Sequence, residues 1–210
     1  MEGSAAEPRR RARASGGGGP REHQGRSGVR VIAGNLKGRR LEAPSWPGLR
    51  PTSDKLRETL FNVLAPRVEG ASVLDGYAGT GAVGIEALSR GAASVTFVEE
   101  DARSVRLIES NLERCAVSDR YAIIRARFAD AAAQLAGRRF DVVFLDPPYG
   151  EPAMATALEA GGRLLAETGI LVLEHARRDP APVIAGVLAR TRDLVSGDSA
   201  LAFYRVGSGR

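Results

Sequence analysis

The chain has 210 residues, 43% of them hydrophobic, which is enough for one domain with a substantial core. No apolar run approaches the ~18 residues of a membrane-spanning helix, and no secretory signal precedes the domain, so we expect a soluble, cytoplasmic protein without membrane contact. The sequence contains one cysteine, Cys115, and two histidines, His23 and His175. These exclude an internal disulfide framework and predict no metal site.

The positive charge lies near the N-terminus. Residues 1–60 contain 13 Lys and Arg against 6 Asp and Glu, whereas residues 61–210 contain 17 against 19. This asymmetry indicates that one end of the chain contacts a polyanion while a separate chemical site lies in the other part. A basic tail without function would give the same asymmetry.

The N-terminal third divides into a leader and an extension. Residues 1–28 are rich in Gly, Arg and Ser, and we predict a disordered basic leader. Residues 29–33 and 39–42 alternate around a turn at 34–38, which predicts a small basic hairpin. A helix follows the N-cap candidates Thr52, Ser53 and Asp54, so that 29–70 forms an extension. The candidate contacts to a polyanion such as RNA are Arg30, Lys37, Arg39, Arg40, Arg50 and Arg57. Its hairpin residues could equally form a solvated face.

Residues 71–210 alternate strand and helix patterns. The predicted strands are 72–74, 94–98, 122–124, 140–145, 170–173 and 200–204; the predicted helices are 82–90, 102–114, 129–135, 153–166 and 181–189. Such alternation predicts an α/β domain of Rossmann-like type, a mostly parallel sheet with helices on both faces. Ligands bind beyond the carboxyl ends of the strands in such a sheet.

A glycine-rich loop follows the first strand. Gly79, Gly81 and Gly84 spell G-x-G-x-x-G between a predicted strand and a predicted helix, and Glu99 ends the second strand twenty residues after Gly79. This pattern fits a nicotinamide dinucleotide or S-adenosylmethionine (SAM), with Glu99 accepting from the ribose. Asp75 favours SAM, because it would repel a pyrophosphate but attract a sulfonium and an ammonium group.

Three further residues join the predicted cofactor site. Tyr77 lies within the glycine-rich loop, and Thr52 precedes the first helix. Asp130 follows the third strand, where it could accept from an adenine amino group or simply cap a helix.

The fourth strand ends in Asp146-Pro147-Pro148-Tyr149. Two prolines stiffen the loop and remove two backbone donors. The Asp146 carboxylate and the Pro147 carbonyl could then hold both N–H bonds of an exocyclic amine, and Tyr149 could stack on an extruded base. These four residues are the predicted catalytic set for methylation of a nucleobase amine.

Several blocks resemble one family. They are RVIAG (30–34) with KGR (37–39), LRPTSD (49–54) with RETLFN (57–62), DGYAGTG (75–81) with EALSRGA (86–92), DPPY (146–149) and GDSAL (197–201). Over roughly 29–206 the chain resembles the bacterial 16S ribosomal RNA guanine-N2 methyltransferases, the RsmD type of class I SAM-dependent methyltransferases. It departs from the family at Gly76, where an apolar residue is usual.

This resemblance implies a seven-stranded sheet with its last strand antiparallel. It implies SAM as methyl donor, guanine N2 in 16S rRNA as acceptor, and residues 52–57 lining the pocket. The assembled small subunit, more than naked RNA, is the implied substrate, and we expect a monomer.

Other functions compete. A DNA amino-methyltransferase uses the same D-P-P-Y chemistry but needs a segment that reads the major groove. A carbon-5 pyrimidine methyltransferase needs a nucleophilic cysteine, and Cys115 is predicted far from the strand ends. A dinucleotide-dependent oxidoreductase leaves D-P-P-Y unexplained, and a non-catalytic RNA-binding module leaves Asp75 and Glu99 unexplained.

Overall fold

The computed structural model describes residues 1, 29–46, 52–148 and 150–207. The predicted leader therefore lies outside the described residues except for Met1, as do Arg50 and Tyr149. The elements in chain order are α1 (Asp54–Val68), β1 (Ser72–Asp75), α2 (Ala82–Ser89), β2 (Ser94–Glu99), α3 (Ala102–Arg114), β3 (Tyr121–Arg125), α4 (Phe128–Gln134), β4 (Phe140–Leu145), α5 (Glu151–Leu164), β5 (Leu165–Ala176), β6 (Ile184–Ala185), β7 (Leu188–Ser196) and β8 (Ser199–Val206).

The strands form one sheet in the order β3-β2-β1-β4-β5-β8-β7-β6. β1 to β5 pair in parallel, whereas β8 lies antiparallel between β5 and β7. The order reverses between β1 and β4, which places a binding crevice at their carboxyl ends. The predicted Rossmann-like α/β class is confirmed. The strand count is eight instead of seven, because the two-residue β6 adds a short edge.

Side chains alternate between two cores, one on each face of the sheet. Val73 and Phe144 point to the face covered by α1, α2 and α3, while Leu74 and Leu145 point to the face covered by α4 and α5. Each parallel strand is thus apolar on both sides, as expected for a sheet covered by helices. Charged groups can face the crevice at the strand ends.

The helix predicted over 181–189 is wrong. Ile184–Ala185 and Leu188–Ser196 are strands, joined by a turn in which Gly186 has φ +59°. A left-handed glycine ends any helix at this point. β7 then pairs with β8 from Leu188 to Ser196, and these sheet hydrogen bonds override the helix propensity of the Ala and Leu residues.

The N-terminal extension packs onto the same core. An antiparallel bridge joins Arg30 to Arg40, so the predicted hairpin is present as a short pairing. Val29, Val31 and Leu41 are buried in the core that α1 and α2 share. The division of the chain at residue 70 remains a sequence-based prediction. No helix in the described part of the chain is long and apolar enough to cross a membrane.

Candidate active site

A cavity of about 570 Å³ opens at the carboxyl ends of β1, β2, β4 and β5. Each strand delivers an acid to it: Asp75 from β1, Glu99 from β2, Asp146 after β4, and Glu174 from β5. None of the described residues that line the cavity is cationic. The cavity therefore favours a cation and hydrogen-bond donors over a phosphate group.

The glycine-rich loop wraps one wall of this cavity. Gly81 is the N-cap of α2 with φ +75°, a conformation that side-chain-bearing residues rarely adopt. A Cβ on Gly84 would lie 2.1 Å from Phe97, so this glycine lets α2 pack closely on β2. Asp75 Oδ2 accepts a 3.0 Å hydrogen bond from the Gly84 N–H. The predicted strand-loop-helix context of the glycine motif is thus present.

Asp75 is almost fully buried, with 1% of its surface exposed. Burial raises its pKa to about 7, helped by the charges of Asp146 and Glu99 and opposed by the Gly84 hydrogen bond. An entering cation would stabilise the ionised carboxylate. The role of Asp75 toward a sulfonium or ammonium group remains a prediction.

Glu99 braces the loop from the second strand. Its Oε2 accepts from the Gly79 N–H at 2.8 Å, and its Oε1 accepts from the Asp101 N–H at 2.9 Å. Each oxygen keeps a second lone pair. Glu99 is partly exposed to the cavity, so these lone pairs are available to ligand hydroxyls.

A second cavity of about 390 Å³ lies on the other side of Tyr77 and shares Tyr77, Glu99, Glu100 and Pro148 with the first. The Tyr77 ring packs 5.2 Å from the Phe128 ring. Burial, together with the charge of Glu100, raises the pKa of Tyr77 to about 12. The phenol therefore stays neutral and can form one wall for a flat heterocycle.

Gly76 lines this second cavity, and Asp130 directly follows the lining residue Ala129. Asp130 is exposed in the first turn of α4, where Arg127 is the N-cap, and it lines neither cavity. Its adenine contact remains a prediction. At Gly76, where the chain departs from the family, a Cβ would lie 2.6 Å from Leu145 and 2.7 Å from Phe128. Phe128 thus occupies the space that an apolar side chain at 76 would need.

The turn that follows β4 contributes three residues to the first cavity. Asp146, Pro147 and Pro148 all line the first cavity, with Pro147 buried and Pro148 exposed. Burial raises the pKa of Asp146 to about 7. Tyr149 lies outside the described residues, so its predicted stacking role stays a prediction.

Glu174 is a cavity residue that the sequence interpretation missed. It is 7% exposed, and Thr52 Oγ1 lies 3.5 Å from its Oε2. Burial, together with the charge of Asp146, raises its pKa to about 8, while the nearby hydroxyl groups of Ser199 and Thr52 oppose the rise. Its position in the sequence indicates a site residue, because Glu174 directly follows the predicted strand 170–173, as Asp75 and Asp146 follow theirs.

The predicted RNA contacts separate into exposed and buried groups. Arg30, Lys37, Arg39 and Arg40 are exposed. Arg57 is fully buried, and its Nη2 donates to the Arg30 carbonyl at 2.5 Å and to Asp54 Oδ1 at 2.9 Å. Burial lowers the pKa of its guanidinium, partly offset by the Asp54 carboxylate. An RNA contact by Arg57 is therefore inconsistent with this structure, since its charge holds the extension together.

Among the described residues, no group of three or more His, Cys, Asp and Glu is placed to hold a metal ion. Cys115 is fully buried behind α3, and burial raises the pKa of its thiol. It cannot reach the cavity as a nucleophile.

The chain matches the family model described as Conserved hypothetical protein 95 over residues 29–205. It is 37% identical to the YlbH protein of Bacillus subtilis, covering 84% of this chain and 98% of that protein. It is 35% identical to the Ribosomal RNA small subunit methyltransferase D of Escherichia coli K12, covering 87% and 92%. The solved structure of the yhhF protein from Escherichia coli superposes with a TM-score of 0.75 at 32% identity, covering 85% of this chain and 99% of that chain. The chain therefore belongs to the Conserved hypothetical protein 95 family and is a methyltransferase of the RsmD type.

Proposed function

We propose that this protein transfers a methyl group from SAM to the exocyclic N2 of a guanine in 16S ribosomal RNA. The single observation that carries the proposal is that Asp146 and Pro147 face the same cavity as Asp75 and the glycine-rich loop. A cation site and a stiff, acceptor-rich turn thus share one space, as the in-line transfer of a methyl group to an amine requires.

The cofactor side is supplied by β1 and β2. Asp75 would pair with positive charge at the base of the loop, and Glu99 would accept from ribose hydroxyls. Bound SAM would supply an electrophilic methyl carbon on its sulfonium. The second cavity is lined by the aromatic rings of Tyr77 and Phe128, against which an adenine ring could pack.

The acceptor side is supplied by the turn after β4. Asp146 and the Pro147 carbonyl would each accept one N–H bond of the guanine amine, which directs its lone pair toward the methyl carbon. The N–C bond forms as the S–C bond breaks, sulfur keeps the electron pair, and the amine then loses one proton. Asp146, whose pKa is about 7, is an orienting group first and can also receive this proton.

The choice of substrate rests on the relatives and on charge. The Escherichia coli relative is named as a methyltransferase of small-subunit ribosomal RNA. Arg30, Lys37, Arg39 and Arg40 are exposed on the extension and could hold the RNA backbone. An unpaired loop guanine is cheap to extrude, and the assembled small subunit is the proposed substrate. The DNA alternative has no comparable support among the relatives.

One titration and one mapping experiment test the proposal. Calorimetric titration should show that SAM binds and that NAD does not; binding of NAD alone would overturn the methyltransferase chemistry. Small subunits from cells that lack this protein should then miss one N2-methylguanosine, and the purified protein with SAM should restore it. Restoration in small subunits but not in naked 16S rRNA would identify the assembled particle as substrate.

A further inference from the structure

Glu174 has no assigned role, although it lines the acceptor side of the cavity with only 7% of its surface exposed. It lies next to Asp146 across the sheet. Leu145 on β4 is paired with Leu173 on β5 in parallel register, so the residues that follow them, Asp146 and Glu174, are neighbours on adjacent strands. Strands in a sheet lie about 4.8 Å apart, so two carboxyl groups at neighbouring positions can accept hydrogen bonds from adjacent donor groups of one ligand.

The Glu174 carboxyl lies beside hydroxyl groups from two other elements. Thr52, which precedes α1, has its Oγ1 3.5 Å from Oε2, and Ser199 at the start of β8 lines the same cavity. Both partners are hydroxyl groups that leave the carboxylate with free acceptor capacity. The groups that face Glu174 are therefore Thr52, Ser199 and Asp146, with Asp75 further along the same cavity and no cation among the described lining residues.

We propose that Glu174 is a specificity-determining residue that accepts the N1–H of the target guanine while Asp146 holds the adjacent N2 amine. This inference rests on the proposed function. Guanine presents a ring N–H directly beside its exocyclic amine, whereas adenine and cytosine present a ring nitrogen acceptor beside theirs. An ionised carboxylate at that position binds guanine and repels the other two bases. Asp146 after β4 and Glu174 on β5 thus distinguish guanine from the other amine-bearing bases.

Both Glu174 and Asp146 act as hydrogen-bond acceptors in this proposal, which sets their protonation state. Glu174 must be ionised to accept N1–H, and Asp146 must be ionised to accept from N2. Burial raises the pKa of both groups, so each carboxyl holds a proton to a higher pH than a solvated carboxyl does. Two coupled groups must therefore lose protons before the acceptor can bind productively.

The test uses small subunits from cells lacking this protein as the methyl acceptor, with the variants Glu174→Ala and Glu174→Gln. The control is Glu167→Gln, an exposed acid on the same strand with no cavity contact. Glu174→Ala should lower kcat/KM for subunits by roughly 10- to 100-fold, the range of one good base-edge contact. Glu174→Gln, which keeps an acceptor oxygen, should lose about tenfold or less. Calorimetric SAM affinity should stay within a factor of about three in all variants.

The pH profile separates a base contact from a structural role. With SAM saturating, so that Asp75 is already ionised, log kcat/KM of the wild type for subunits should rise on the acid side with a limiting slope of about two, and that of Glu174→Gln with a slope of about one. A slope of two in both proteins would overturn the proposal, as would a loss of SAM affinity equal to the loss of kcat/KM. If Glu174→Ala fails to fold, the near-isosteric Glu174→Gln decides the outcome.

The two proposals fail in different ways. A wild-type protein that cannot methylate these subunits with SAM overturns the proposed function and this inference with it. A wild-type protein that methylates them, with Glu174→Ala and Glu174→Gln equally active, overturns the role of Glu174 alone.

Discussion

Glu86 Oε2 accepts a 2.7 Å hydrogen bond from the backbone N–H of Ile32, 54 residues away in the chain. Its other oxygen accepts from the Ala33 N–H at 3.0 Å and from Arg90 Nε at 2.7 Å. The Glu86 side chain has no exposed surface. A single buried carboxylate on α2 therefore fixes the N-terminal extension against the methyltransferase sheet.

Replacing Glu86 by Ala should lower the free energy of unfolding by about 3 kcal/mol, because the half-buried Arg90 and two backbone donors lose their buried partner. Glu86→Gln should lose less, since its carbonyl oxygen still accepts. Denaturant unfolding measures both. The control Glu109→Ala removes an exposed acid from α3 and should stay within about 0.5 kcal/mol of the wild type. Equal losses for Glu86→Ala and Glu109→Ala would contradict this docking role.

Substitutions of Asp146 and of Asp75 should have different effects on methyl transfer and on SAM binding. We expect Asp146→Ala to lower methyl transfer by at least about 100-fold, because the amine loses its alignment, with SAM binding retained. Asp75→Ala should weaken SAM binding itself, since the buried acid that faces the cofactor charge is gone. Methyl transfer to small subunits and calorimetry measure the two effects. The exposed Glu159 on α5 provides a control as Glu159→Gln. Full activity in Asp146→Ala would remove the proposed catalytic role.

The stability of the ligand-free protein should fall as pH rises, and Asp75 should contribute to the fall. Its pKa is raised from 3.8 to about 7 in the folded state, so its stabilising proton is present below about pH 4 and is lost as pH rises through 7. Between pH 5 and pH 8, Asp75→Asn should lose roughly 1 to 3 kcal/mol less unfolding free energy than the wild type. Denaturant unfolding at both pH values tests this. Asp119→Asn, at an exposed surface acid, should follow the wild type, and an identical pH dependence in Asp75→Asn would contradict the expected role of burial.

The exposed arginines of the extension should contribute to RNA binding through phosphate contacts. Replacing Arg30, Arg39 and Arg40 together by Ala should weaken binding to small subunits and reduce the slope of log K against log salt by up to about 2. A matched triple variant at exposed positions near the amino ends of β4 and β5, Arg67, Arg138 and Arg139 to Ala, should leave the slope unchanged. Equal slopes for the wild type and the first variant would assign these arginines to a solvated face.

Local patterns predicted most of the site because its residues follow strands directly. The end of β1 at Asp75, the glycine turn at Gly81 and the end of β4 at Leu145 are all encoded by neighbouring residues. The helix predicted over 181–189 was wrong for the opposite reason. Whether Leu188 and its neighbours form a helix or a strand depends on pairing with β8, which is distant information.

Two charged side chains show the limit of sequence interpretation most clearly. Arg57 was predicted to contact RNA because arginines in a basic segment usually lie at the surface, yet α1 buries it beneath the extension with Asp54 as its partner. Glu174 received no role because an acid after an apolar run is ordinary on its own. It becomes a site residue only when β4 lies beside β5 and Asp146 is its neighbour.

The sequence by itself determined the chemical groups and the local turns: the glycine-rich loop, the acids at the strand ends, the stiff proline pair and the alternating strands and helices. These depend on backbone preferences and residue spacing, which act over a few residues. Only the tertiary structure decided which charges are buried, how far their pKa values move, and which acids share one cavity. Those properties depend on desolvation and on contacts between residues far apart in the chain, such as Glu86 with Ile32 at 54 positions and Glu174 with Thr52 at 122 positions.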